Sequence, residues 1–277
     1  MIPGVFKRAT RKALGLVGVE VHRKGFASSV VAPSHAGSSR SSVYGVLRQV
    51  KDLGFSPATV IDVGGAFGLF ASEAYSVFRN ARYMLVEPLE EYKPHLEAFV
   101  RDHPTQAEYI LAAAAAQSGQ MTINVHPDLV GSSLYLEEEV SNVNGIPRTV
   151  TSTTLDHLVD QAKLEPPFLL KIDVQGAELD VLAGFEKYLQ ETEFVLLEVS
   201  FFKFFLQGPQ FYDVLTYMKA RGFVAYDICG LQYRPLDNAL SQVDMIFVKE
   251  SGQFRQHHYY ATSEQREEQF RAAPASL

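Results

Sequence analysis

VIDVGGAFGLF, residues 60–70, places a short β-branched apolar run directly before a turn that holds Gly64, Gly65 and Gly68. Such a run, bounded by glycines, predicts a buried strand. The next stretch, GLFASEAYSVF, carries its apolar residues at helical spacing. Strand, glycine turn and helix form the first unit of an α/β sheet.

The same rhythm continues on both sides. VYGVLRQVKDLGF predicts a helix ending at Gly54. RYMLVEP predicts a strand stopped by Pro88, and EEYKPHLEAFV a helix with Pro94 near its start. EYILAAAAA is ambiguous, because alanine favours a helix while its place between Pro104 and Gly119 suits a buried strand. QMTINVH alternates like a strand. An insert at about 119–150 breaks the rhythm, and within it PDLVGSSLYLEEEVSNVNG reads as a long loop or hairpin. RTVTSTTLDHL runs from strand to helix, with Thr153 or Thr154 as its cap. Then FLLKIDV, FVLLEVSF and FVAYDI read as strands separated by the helices AELDVLAGFEKYL and QFYDVLTYMKARG. VDMIFVKE is a last strand with no helix before it. The expected architecture is therefore a mostly parallel sheet with helices on both faces. Its final strand closes a hairpin and runs antiparallel.

Residues 43–250 hold this pattern. A basic appendage and Ser/Gly-rich linker precede it (1–42), and a polar tail follows (251–277), expected to be loosely held. The chain of 277 residues has a net charge of -7, which disfavours nucleic acid as the main partner. Residues 1–24 run against that balance, with Lys7, Arg8, Arg11, Lys12, Arg23 and Lys24 against Glu20 alone. They predict a basic surface helix or a peripheral foot on an anionic membrane. A single cysteine, Cys229, excludes an intrachain disulfide and a multi-cysteine zinc site. A reducing, cytoplasmic compartment is expected.

Ligands of open parallel sheets bind at the carboxyl ends of the strands. The turn after residue 63 lies at such an end, but its Gly-Gly-x-x-Gly order fails the G-x-G-x-x-G dinucleotide fingerprint. Asp62 before the turn would repel a diphosphate and suit an ammonium or sulfonium. Glu87, followed by Pro88, ends the next strand, where an acid commonly accepts two ribose hydroxyls. The matching ligand is S-adenosyl-L-methionine, with Asp62, Gly64, Gly65, Gly68, Glu87 and Pro88 as its expected contacts.

The blocks VIDVGGAFGLFA, LVEP, GSSLY, TTLDHL and FLLKIDVQGAELDVLAG, over about residues 55–200, resemble the FkbM-type methyltransferases. KIDVQGAE is the most specific of them. The resemblance implies a class I, Rossmann-like, adenosylmethionine-dependent enzyme that methylates a hydroxyl of a sugar or polyketide. The usual family turn is Gly-Ala-Asn-x-Gly, whereas here the third position is Ala66.

Methyl transfer to a hydroxyl benefits from a base. Asp173 is the first candidate, with Glu178 and Glu198 as alternatives, or it positions cofactor or acceptor without taking a proton. Lys171 is a further catalytic candidate, or a strand residue paired with a nearby acid. Ser132, Ser133, Tyr135 and Glu198 are expected on the acceptor side, or Ser132 to Tyr135 form an ordinary surface hairpin. FFKFFL, residues 201–206, reads as an acceptor wall, as core or as a subunit contact in a homo-oligomer. No metal-ligand spacing is present. The expected acceptor is a carbohydrate in a polysaccharide or glycolipid; a small natural product, or a non-catalytic scaffold, is the alternative.

Overall fold

A computed structural model describes residues 39–138 and 142–272. The basic segment 1–24, and with it the expected membrane foot, lies outside the described residues. Among those described, no helix is long and apolar enough to cross a membrane.

Helix α1 (Val43–Asp52) begins at Ser42, whose hydroxyl accepts the Gly45 amide at 3.1 Å. Strand β1 (Thr59–Val63) is buried along its whole length. It passes through the glycine turn into α2 (Leu69–Val77), and β2 (Arg82–Glu87) leads to α3 (Lys93–Asp102). Pro94 sits in the first turn of α3, where its missing N–H costs no helical bond. The ambiguous alanine run resolves as strand: β3 (Ala107–Leu111) and the short β4 (Ala113–Ala114). Then come β5 (Gly119–Val125), β6 (Ile146–Thr153), α4 (Leu155–Ala162) and β7 (Phe168–Ile172). Thr154 caps α4, accepting the His157 amide.

After β7, helix α5 is only Glu178–Ala183, shorter than its apolar spacing predicts. It stops at Gly184, where a Cβ would run into the carbonyl of Ala115. The remaining elements are β8 (Thr192–Ser200), α6 (Phe211–Ala220), β9 (Phe223–Tyr233), β10 (Leu240–Lys249) and α7 (Ser263–Ala272).

Seven strands form the main sheet in the order β3-β2-β1-β7-β8-β10-β9. All run parallel except β10, which is antiparallel to both β8 and β9. One face of the sheet packs on α1, α2 and α3 through Leu47, Phe70 and Leu96. The other packs on α4, α5 and α6 through Leu158, Leu182 and Met218. Strands covered on both faces read as near-continuous apolar runs, which explains the legibility of β1 and β7. The insert adds a second, three-stranded sheet, β4-β6-β5, over the carboxyl ends of β1 and β2. Within the tail, Phe254 meets Phe55 and Tyr226 with ring centroids 5.8 and 5.3 Å away.

Candidate active site

A cleft opens at the carboxyl ends of β1, β2 and β7. Its floor is the glycine turn. Gly64 has φ +74°, and a Cβ there would run into the Asp173 carbonyl. Only a glycine lets these two backbone segments approach so closely. Its roof comes from the insert, through Met121, Ile123 and the loop Leu129–Leu134.

Glu87 forms one end wall and is 4% exposed. Its Oε2 accepts the Ala66 amide at 3.0 Å and its Oε1 the Leu89 amide at 2.9 Å. Burial pushes its carboxyl up to about 7, against the pull of those two amides. A carboxylate offers about four acceptor sites, so two remain for a ligand's hydroxyls. Beside it, Leu89, Tyr92, Ile123 and Met121 make an apolar patch of a kind that suits a flat heterocycle. Pro88, Gly65 and Ala66 also line the cleft.

Asp62 does not line it. The side chain is fully buried and faces Lys171 at 3.2 Å, the residue opposite it in the β1–β7 register. The expected cationic partner of Asp62 is thus supplied by the protein itself. Lys171 also donates to the carbonyls of Gly64 at 2.9 Å and Val63 at 3.3 Å. Burial opposes the charge on Lys171, but Asp62, Asp173 and Asp244 outweigh it and raise its pKa. Gly68 also lies off the cleft wall and starts α2 in the left-handed conformation, φ 69°.

Asp173 sits just past β7 and lines the same cleft as Glu87. Its Oδ1 accepts the Gln175 side-chain amide at 2.6 Å. Of the alternative bases, Glu178 accepts the amides of Gly176 at 3.0 Å and Val174 at 3.3 Å and so braces the turn. Burial raises its carboxyl to about 7. Glu198, 4% exposed, accepts side-chain amides from Gln175, Gln232 and Gln242. Neither Glu178 nor Glu198 reaches the cleft lining, whereas Lys171 and Asp173 do.

The acceptor-side candidates are engaged in the fold. Ser133 donates to the Gln175 carbonyl at 2.6 Å, and Tyr135 donates to Asp180. Ser132 accepts the His126 amide at 3.0 Å and lines the cleft together with Ser133. Phe205, from the FFKFFL run, covers Gly176 so closely that a Cβ there would lie 2.6 Å from its ring. Tyr92, Gln232 and Gln242 carried no signal in the sequence, since their roles arise only from register and loop packing.

The strand order, the single antiparallel strand and the cleft at the carboxyl ends form a sheet of the class I methyltransferase type. The sequence model of the Methyltransferase FkbM domain matches residues 62–225, more than half of the chain, so the protein belongs to the FkbM methyltransferase family. It is 27% identical over 201 residues to the 2-O-methyltransferase NoeI of Sinorhizobium fredii, covering 67% of this chain and 78% of that one. It is 37% identical over 51 residues to the hexuronic acid methyltransferase AglP of Haloferax volcanii, covering 18% and 21%. Among solved structures, the methyltransferase FkbM of Methylobacillus flagellatus aligns with a TM-score of 0.45 and 15% identity, over 69% of this chain and 44% of that one. The chain thus spans well under two thirds of the length of AglP and of that crystallised FkbM protein.

Proposed function

We propose that this protein binds S-adenosylmethionine in the cleft and transfers its methyl group to a hydroxyl of a carbohydrate. The observation that carries the reading is that Glu87 and Asp173, from strand ends on either side of β1, line one cleft, with an apolar patch beside the first. Glu87 holds the ribose hydroxyls, and Leu89, Tyr92, Ile123 and Met121 enclose the base. Gly64 and Gly65 bring backbone to the middle of the ligand. The names of two relatives, a 2-O-methyltransferase and a hexuronic acid methyltransferase, favour a sugar hydroxyl as acceptor.

The bound cofactor supplies an activated methyl on a sulfonium, so the protein's main task is alignment. Asp173, which lines the same cleft, is assigned to the acceptor hydroxyl. It accepts that hydroxyl's hydrogen bond and takes its proton as the oxygen–carbon bond forms. The cofactor, when bound, would supply that methyl from its sulfonium and keep the sulfur as a neutral thioether. The acidic surroundings of Asp173 also favour a cationic ligand over a diphosphate.

Calorimetric titration with S-adenosylmethionine and with NAD, followed by tritiated-methyl transfer to a panel of neutral and uronic oligosaccharides, tests this reading. Binding of the first ligand alone and labelled sugar are expected. Binding of NAD, or cofactor binding with no labelled saccharide, would overturn the cofactor and acceptor assignments respectively.

A further inference from the structure

Three glutamine amides converge on one buried carboxylate beside the cleft. Gln175 Nε2 and Gln242 Nε2 each lie 2.9 Å from Glu198 Oε2, and Gln232 Nε2 lies 3.2 Å from Oε1. The three come from the turn after β7, from β10 and from β9. Gln232 and Gln242 are opposed in the β9–β10 register, which brings both side chains to Glu198. The Gln175 amide is shared: it also donates to Asp173 Oδ1 at 2.6 Å.

Gln175 is itself tightly fixed. Its backbone takes the left-handed conformation, φ 59°, which is costly for a residue with a side chain. The Ser133 hydroxyl holds its carbonyl, and the residue is 7% exposed. An amide has two N–H groups and one oxygen. With a carboxylate on either side, only one flip of Gln175 is favourable, the one presenting a hydrogen to each acid. Among the described residues, Asp173 Oδ2 has no hydrogen-bond partner. The arrangement therefore pins one oxygen of Asp173 and leaves the other for a ligand.

We propose that Glu198 is a positioning residue for the transfer step. Anchored by Gln232 and Gln242, it sets the orientation of Gln175, and through Gln175 it directs Asp173 Oδ2 toward the acceptor hydroxyl. This rests on the assignment of Asp173 to the acceptor side.

The test uses the full chain and the near-isosteric Glu198→Gln, with and without Asp173→Asn. With the best acceptor from the saccharide panel, Glu198→Gln lowers kcat by roughly tenfold, the low end of the loss when an outer-shell partner of a metal ligand is removed. Cofactor affinity by calorimetry stays unchanged. In the Asp173→Asn background the same substitution has no further effect on kcat. Losses that multiply in the double variant would sink the proposal, as would an unchanged kcat in Glu198→Gln. A second readout needs no acceptor. In protein labelled with ¹⁵N-glutamine, the Gln175 side-chain protons should be protected from exchange and lose protection in Glu198→Gln. Unaltered Gln175 signals would overturn the proposal. A panel with no methylated sugar would instead count against the acceptor assignment, and the labelled spectrum would still decide the role of Glu198.

Discussion

Lys171 Nζ lies 3.2 Å from Asp62 Oδ1, a cross-strand ion pair sealed in the sheet directly beneath the glycine turn. The same ammonium reaches up to the Val63 and Gly64 carbonyls, so one side chain ties β7 to both the acid and the turn. Removing one member of a buried pair strands the other charge, at about 3–5 kcal/mol. Lys171→Met should therefore destabilise the protein by that amount in guanidinium unfolding. Lys171→Met combined with Asp62→Leu should recover most of it, because neither member of the pair is left without the other, yet still bind cofactor weakly, because the turn carbonyls lose their donor. A double variant as unstable as the single one would show that the pair is not the source of the loss.

The glycine turn holds positive φ at Gly64 and at Ala66. Gly64→Ala drives a Cβ into the Asp173 carbonyl, so cofactor binding should be abolished in calorimetry. Ala66 has φ 40°, a left-handed conformation that costs an alanine roughly 1–2 kcal/mol. Ala66→Gly should accordingly raise the urea midpoint. A lower midpoint would mean that the methyl's apolar packing outweighs the backbone cost.

Cofactor affinity should depend on pH through Glu87. Its carboxyl is raised to about 7 by burial. The protonated form offers fewer acceptor sites for ribose hydroxyls, so affinity for S-adenosylmethionine should rise as pH passes from 6 to 8. Calorimetry on Glu87→Gln should give weak binding without that slope. An equal slope in the variant would assign the titration elsewhere.

Asp173→Asn should leave cofactor affinity within about twofold and lower transfer by roughly 100- to 10,000-fold, the range for a general base. Wild-type turnover in this variant would remove Asp173 from the chemistry.

Glu73, in α2, is 8% exposed, and its Oε2 has no hydrogen-bond partner among the described residues. Burial raises its carboxyl to about 8, well above its value in an unfolded chain. The folded state therefore holds a proton that the unfolded state has released. That contribution is complete below about pH 4.5 and is lost as pH rises through about 8. Stability in urea should fall across this window in the wild type, and Glu73→Gln should flatten the fall. An identical slope in the variant would contradict the assignment.

The alternation from β1 to β8 was readable in the sequence because each central strand is covered on both faces and each helix on one. Hydrophobic burial writes that difference directly into residue order. The glycine turn, Glu87 and the KIDVQGAE block were readable for a related reason: each places a special residue at a strand end, where local conformation and position coincide. The alanine run could not be resolved locally, since the pairing of β3 with β2 and of β4 with β6 overrides alanine's helical preference. The length of α5 was hidden too, because it depends on the approach of Gly184 to Ala115, far away in the chain.

The sequence alone determined the sheet-and-helix order and placed Asp62, Glu87 and Asp173 at or near strand ends. Tertiary structure alone decided what those acids touch. Register set Lys171 against Asp62, and the β9–β10 hairpin carried Gln232 and Gln242 to Glu198. Loop packing turned the hydroxyls of Ser133 and Tyr135 inward to Gln175 and Asp180. A residue type states what a side chain can bond. Which partner it meets is settled by strand offset and loop packing, and these are properties of the assembled chain.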